Sequence, residues 1–220
     1  MNWVKFITLL SVLSPLAGII AGYKRFVFFV WIYLLLMLMS DIILQTTKLL
    51  NQPSLTSLTA NVFICLNFLI IARFFYKNLE GKYRAFVYAG AVVFLFMLIR
   101  ISVNGWFYFD RVNAFLGAFV FVLLCVIYLF TILLSEETAP LMTSYKFWFV
   151  IGLMIYNSAV ILVFGLSKYL LNSDPALYKK IWSFHDLANL TQCLIFFKVV
   201  QLYKEQQIQK MHGNLSDKSL

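Results

Sequence analysis

The sequence predicts an all-α, polytopic membrane protein: one bundle of seven transmembrane helices, with the N-terminus outside and the C-terminus cytoplasmic. Three observations carry that expectation. Of 220 residues, 62% are hydrophobic and only 12% charged, and mean hydropathy is +0.86, whereas a soluble domain carries about 25% charged residues. The apolar residues fall into seven runs, each near the roughly 20 residues a helix needs to cross the hydrocarbon while satisfying its own backbone. Short breaks that mix charge with Gly, Pro, Asn or Ser part the runs.

The first span covers about 3–22 and closes at GYKR. Its positive charge is heavier after the apolar stretch than before it. The stretch also exceeds the usual signal-peptide core of about 7–15 residues, so an uncleaved helix is expected. Pro15 interrupts it at mid-depth; Gly18 and Gly22 form a GxxxG suited to close helix approach, with Ser14 one turn earlier. Span two, 26–44, gives way to KLLNQPS, and span three, 57–76, to YKNLEGKYR. Span four, 85–104, ends at NGWFYFDR, span five, 112–134, at LSEETAPLMTS, and span six, 146–167, at LNSDPALYKK. Span seven, 181–203, completes a single membrane domain over 1–203, and 204–220 reads as a short polar cytoplasmic tail.

Lysine and arginine counts in the short loops set the orientation. One side carries Lys24, Arg25, Arg73, Lys77, Lys82, Arg84 and Lys146, with Lys198, Lys204, Lys210 and Lys218 at or after the end of span seven. The other carries Lys5, Lys48, Arg100, Arg111, Lys168, Lys179 and Lys180. Eleven against seven predicts the first side to be cytoplasmic. Aromatic residues mark both interfaces: Trp3, Trp106 and Trp182 outside, Tyr23, Tyr76, Tyr83, Trp148 and Tyr203 inside.

Polar residues are rare in the runs, and their depth is uneven. FHDLANLTQ at 184–192 concentrates them in span seven. At about 100° per residue from His185, Asn189 falls at about 40°, Trp182 at about 60°, Asp186 at about 100° and Gln192 at about 340°, opposite a leucine-rich arc. Asp41 near the outer end of span two, Asn61 at the start of three, Arg100 and Asn104 at the outer end of four, and Asn113 at the start of five share that depth. Asn157 lies mid-span in six and Asn67 near the midplane of three. Ionisable groups at bilayer depth cost several kcal/mol unless paired or wetted, so these side chains are expected to face one another. Two roles compete: walls of an outward-opening pocket for a small ligand or ion, or clamps between helices, with Arg100 pairing to Asp186 or Asp41 as one such clamp.

Several chemistries find no motif. The basic residues lie in loops rather than along one face, which argues against nucleic acid. Cys65, Cys125 and Cys193 sit singly in apolar runs, so neither a disulfide framework nor a zinc site is indicated. Lys198 lies too near the inner end of span seven for a retinal Schiff base. His185 is the sole histidine in a span, His212 being in the tail, so paired haem ligation is not expected. HExxH, GxSxG and Walker motifs are missing, and EETAP at 136–140 reads as a solvated turn. No cofactor and no catalytic role are expected.

KFWFVIGLMIYNSAVILVFGLSKYLL at 146–171 and LYKKIWSFHDLANLTQCLIFFKVV at 177–200, about a quarter of the chain, resemble the last two spans of small uncharacterised seven-helix membrane proteins of Bacteroidetes. The resemblance rests on the FW opening span six, the Tyr156-Asn157 step, and Trp182, His185 and Asn189. It implies a bacterial inner-membrane location and gene neighbourhoods containing sensor histidine kinases, hence signalling. Span three departs from that family, which has a His and a Glu there; this chain has Asn67 near the Glu place. The functional expectation is a sensory component that binds a small ligand or ion and engages a cytoplasmic signalling partner. A solute carrier and a ligand-free structural subunit are the alternatives.

Overall fold

A computed structural model describes residues 3–22, 28–134, 141–173 and 175–216. Tyr23, Lys24 and Arg25 of the first break, EETAP at 136–140, and Lys218 lie outside the described residues. Among those described there are seven α-helices and no strand: α1 (Trp3–Gly22), α2 (Phe28–Leu49), α3 (Pro53–Asn78), α4 (Arg84–Asn104), α5 (Arg111–Leu134), α6 (Tyr145–Ser173) and α7 (Pro175–Ser216).

The helices start and stop where side-chain chemistry asks them to. Asn51 adopts φ 52°, a left-handed turn that asparagine tolerates, and reverses the chain after α2. Pro53 then opens α3 at the first helical position, where its missing N–H costs nothing. Gly105, at φ 89°, ends α4 while its N–H bonds Ile101 O at 2.9 Å. Asp110 caps α5, its Oδ1 accepting the Val112 N–H at 2.9 Å. Ser144 Oγ faces the Phe147 N–H at 3.4 Å at the start of α6, and Pro175 is the first residue of α7.

Five of the helices, within Phe29–Leu49, Pro53–Asn78, Gly81–Asn104, Arg111–Leu134 and Tyr145–Leu166, are long and apolar enough to cross a membrane. The chain therefore has the make-up of a multi-pass helical membrane protein. Exposed apolar side chains point the same way: Val92, Leu95, Ile99 and Val103 of α4 form an outward stripe that water would penalise and lipid would not. In α1, the described apolar stretch of this kind is the shorter Leu10–Ile20. The apolar run of α7 is diluted by His185, Asp186, Asn189 and Gln192. The seven-span expectation is thus met at five helices.

The largest departure in length is α7. It continues as helix to Ser216, over most of the segment expected as a short polar tail. Its extension leans on the start of α6: Gln206 Nε2 donates to Thr143 O at 2.9 Å, and the Tyr203 ring lies 5.1 Å from that of Tyr145.

Six helices close a ring, α1–α2–α3–α5–α6–α7 and back to α1, while α4 packs outside against α3 and α5. One half of this ring is solid. Tyr33, Phe74, Phe75, Tyr128, Phe149 and Phe196 interlock there, Phe149 stacking on Phe196 at 5.1 Å and Tyr33 meeting Phe196 edge-on at 5.4 Å. Gly152 makes this packing feasible, since a Cβ there would stand 2.7 Å from Phe196 Cε1. Gly18 similarly admits Leu34 of α2, consistent with the close approach expected of its GxxxG. The other half of the ring is hollow.

Candidate functional site

The hollow half is a cavity of about 430 Å³, within the range of small-molecule sites. Each wall is one helix stripe with i, i+3/i+4 spacing. α2 contributes Met37, Ser40, Asp41, Leu44 and Lys48; α5 contributes Arg111, Ala114, Gly117, Ala118 and Phe121. α6 offers Tyr156, Asn157, Val160 and Phe164, α7 offers Trp182, His185 and Asn189, and α3 lines the wall from Thr56 to Phe68. All five stripes come from the same end of the bundle: the C-terminal part of α2 and α6, the N-terminal part of α3, α5 and α7. Phe68, Phe121 and Met37 form the floor, resting on the aromatic core. The exposed Lys48 and the half-buried Thr56 and Arg111 stand at helix ends and mark the mouth.

Five of the ten sequence-derived site residues line this cavity: Asp41, Asn157, Trp182, His185 and Asn189. His185 is boxed by aromatics, with the Tyr156 and Trp182 rings each 5.4 Å away, and Phe164 lies edge-on to Trp182 at 5.7 Å. Asn189 Nδ2 donates to Ser11 Oγ of α1 at 2.8 Å, which turns its amide oxygen away from that bond, and its side chain lies beside the Asp41 carboxylate. Asn157 Nδ2 donates to Leu153 O of its own helix.

The other five do not line it, and each makes a contact with a local reason. Arg100 pairs with neither Asp186 nor Asp41. Its Nη2 and Nε bond Asp110 Oδ2 at 2.7 and 2.8 Å, and Asn104 Nδ2 approaches the same oxygen at 3.3 Å. Asp110 is ten residues away along the chain, so the short α4–α5 connection delivers it to Arg100 before any other helix can. Asn61 spends its amide on that connection too, donating to Trp106 O and Tyr108 O at 2.9 Å each. Asp186 and Gln192 stand at the two edges of the polar arc of α7, and the edges meet neighbouring helices instead of the cavity. Thr8 Oγ1 of α1 donates to Asp186 Oδ2 at 2.6 Å, with His185 Nδ1 at 3.5 Å from Oδ1. Gln192, deeper by a turn than Asn189, donates to Tyr33 OH at 3.2 Å.

Sequence reasoning missed other wall residues. Lys48 and Arg111 had registered only as loop charge, Tyr156 only within the family resemblance, and Ser40, Thr56 and Ser57 not at all. Two of them carried a signal, since Lys48 stands seven residues after Asp41 and Ser57 four before Asn61, both at helical spacing from a polar residue already noted. Asp110, the capping acid beside Arg111, is the structural group that was overlooked.

Three acceptor oxygens on the walls have no hydrogen-bond partner: Asp41 Oδ2, Asn67 Oδ1 and Asn189 Oδ1. Buried acceptors are normally satisfied, and each orphan marks a place where a donor belongs. The sequence matches no protein-family model, no curated protein and no solved structure at significant similarity.

Proposed function

We propose that this protein is a sensory component of a bacterial inner membrane that binds a small ligand in the cavity from outside and passes occupancy to a cytoplasmic partner. The observation that carries this reading is that α7 both walls the cavity, through Trp182, His185 and Asn189, and runs unbroken to Ser216. From His185 to Ser216 is a rise of about 46 Å at ~1.5 Å per residue. A ligand wedged against α7 shifts a stiff rod whose far end carries the polar segment expected in the cytoplasm. Two-state coupling of this kind needs only that the ligand contact α7 differently in its two positions.

A one-ended cavity favours a receptor over a carrier. An alternating-access path needs an opening toward the second face, and the interlocked Tyr33, Phe149 and Phe196 fill that direction. The basic cluster at the solid end, with Lys77 over the Phe29 ring and Arg84 over Tyr76, supports the inside assignment of that end.

Reconstitution tests the reading. Spin labels at Gln209 and Met142 are expected to change separation when ligand is added to the outer face, and proteoliposomes are expected to accumulate none of it. Saturable uptake that disappears in Asp41→Asn or Asp186→Asn makes the protein a carrier and overturns the proposal.

A further inference from the structure

The charged groups of the cavity are sorted by depth, and the sorting specifies a ligand class. Asp41 is the sole carboxylate on the described walls, and it has no ion-pair partner among the described residues. Arg100 is held by Asp110, and His185 sits against Asp186. Asp41 Oδ2 and Asn189 Oδ1 each lack a hydrogen-bond partner, and both accept only. Lys48 and Arg111, both cations, stand at the mouth.

We propose that the cavity takes an elongated zwitterion, with a primary ammonium at the deep end, an apolar body and a carboxylate at the mouth; this rests on reading the cavity as a ligand site. An ammonium brings three donors and a positive charge to Asp41, whose Oδ2 has no hydrogen-bond partner and whose carboxylate has no ion-pair partner among the described residues. Tyr156 and Trp182 add aromatic rings to the wall, packed against His185. Lys48 follows Asp41 by seven residues on one helix face, a rise of about 10 Å, which sets the separation of the two charges. The planar guanidinium of Arg111 suits bidentate capture of a carboxylate. Between the two ends the walls include Leu44, Ala60, Phe63, Ile64, Ala114 and Val160, so the body is largely apolar. A bare amine would leave two mouth cations unanswered, and a fatty acid would leave Asp41 buried and unpaired. About 10 Å also equals three extended residues, so short apolar peptides with free termini belong to the class.

The probes are ω-aminooctanoate, octylamine and octanoate, which share one body and differ in their charged ends. Titration calorimetry on the full chain in nanodiscs is expected to give ω-aminooctanoate about tenfold tighter binding than either single-charge analogue. Asp41→Asn is expected to erase its advantage over octanoate, and Lys48→Ala with Arg111→Ala its advantage over octylamine. Octanoate binding as tightly as the zwitterion, or none of the three binding, overturns the proposal. A second readout separates that from failure of the ligand site itself: Ala114→Cys, in a background with Cys65→Ser, challenged with a water-soluble thiol reagent. Labelling without zwitterion binding retires the ligand class alone. Absence of labelling retires the cavity as a ligand site as well.

Discussion

Removing the carboxylate of Asp110 separates residues that clamp helices from residues that face the cavity. Asp110 is 4% exposed and does two jobs, capping α5 through Oδ1 and holding Arg100 through Oδ2. Asp110→Asn keeps the cap, because asparagine caps as well as aspartate, and loses the charge. The Arg100 side chain is 33% exposed, so the pair ranks between a wet one at about 0–1 kcal/mol and a buried one whose breakage costs about 3–5 kcal/mol. A loss of about 2 kcal/mol follows for Asp110→Asn. Asp110→Ala forfeits the cap as well, at about 1 kcal/mol more. At about 2–4 °C per kcal/mol for a chain of this size, the melting temperature is expected to fall by roughly 4–8 °C and 6–12 °C. Thermal unfolding of the purified protein by circular dichroism reads both, and Arg100→Gln added to Asp110→Asn is expected to cost little further, since the partners act as one unit. Both variants melting within a degree of the parent would refute the assignment and return Arg100 and Asn104 to the pool of ligand groups.

Asp41→Asn carries the opposite sign: with no ion-pair partner to lose among the described residues, it is expected to raise the unliganded melting temperature, by about 1 kcal/mol of stability or more, and a fall would mean that the charge of Asp41 is used structurally. Gly152→Ala drives a methyl against Phe196 and is expected to cost about 1–3 kcal/mol in the same melt; a neutral result would show the aromatic core to be loosely packed. Gln192→Leu leaves Tyr33 OH without that partner and is expected to cost about 1 kcal/mol while leaving ligand affinity unchanged in calorimetry. Replacing Lys204 and Glu205 by glycine interrupts the α7 rod with two residues of low helix propensity. It is expected to preserve binding and abolish the ligand-driven distance change at Gln209, and an undiminished change would rule out α7 as the conveyor.

The sequence by itself determined the class of object and which half of it is polar. Composition and run length called for helices long and apolar enough to cross a membrane, because a backbone in hydrocarbon must satisfy itself, and the observed helices contain most of each expected span. The depth at which Asp41, Asn157, His185 and Asn189 occur put them at one end of the bundle, since depth along a straight helix is residue number times rise. Rotation about each axis and the identity of neighbours were decided only by tertiary structure. Periodicity says that Asp186, His185 and Gln192 share a broad arc, but an arc about 120° wide meets three neighbours at once. So His185 faces the cavity, Asp186 turns to Thr8 of α1, and Gln192 reaches Tyr33 of α2. Arg100 went to Asp110 for a related reason: a short connection returns its own residues first, and a helical wheel holds no information about loops.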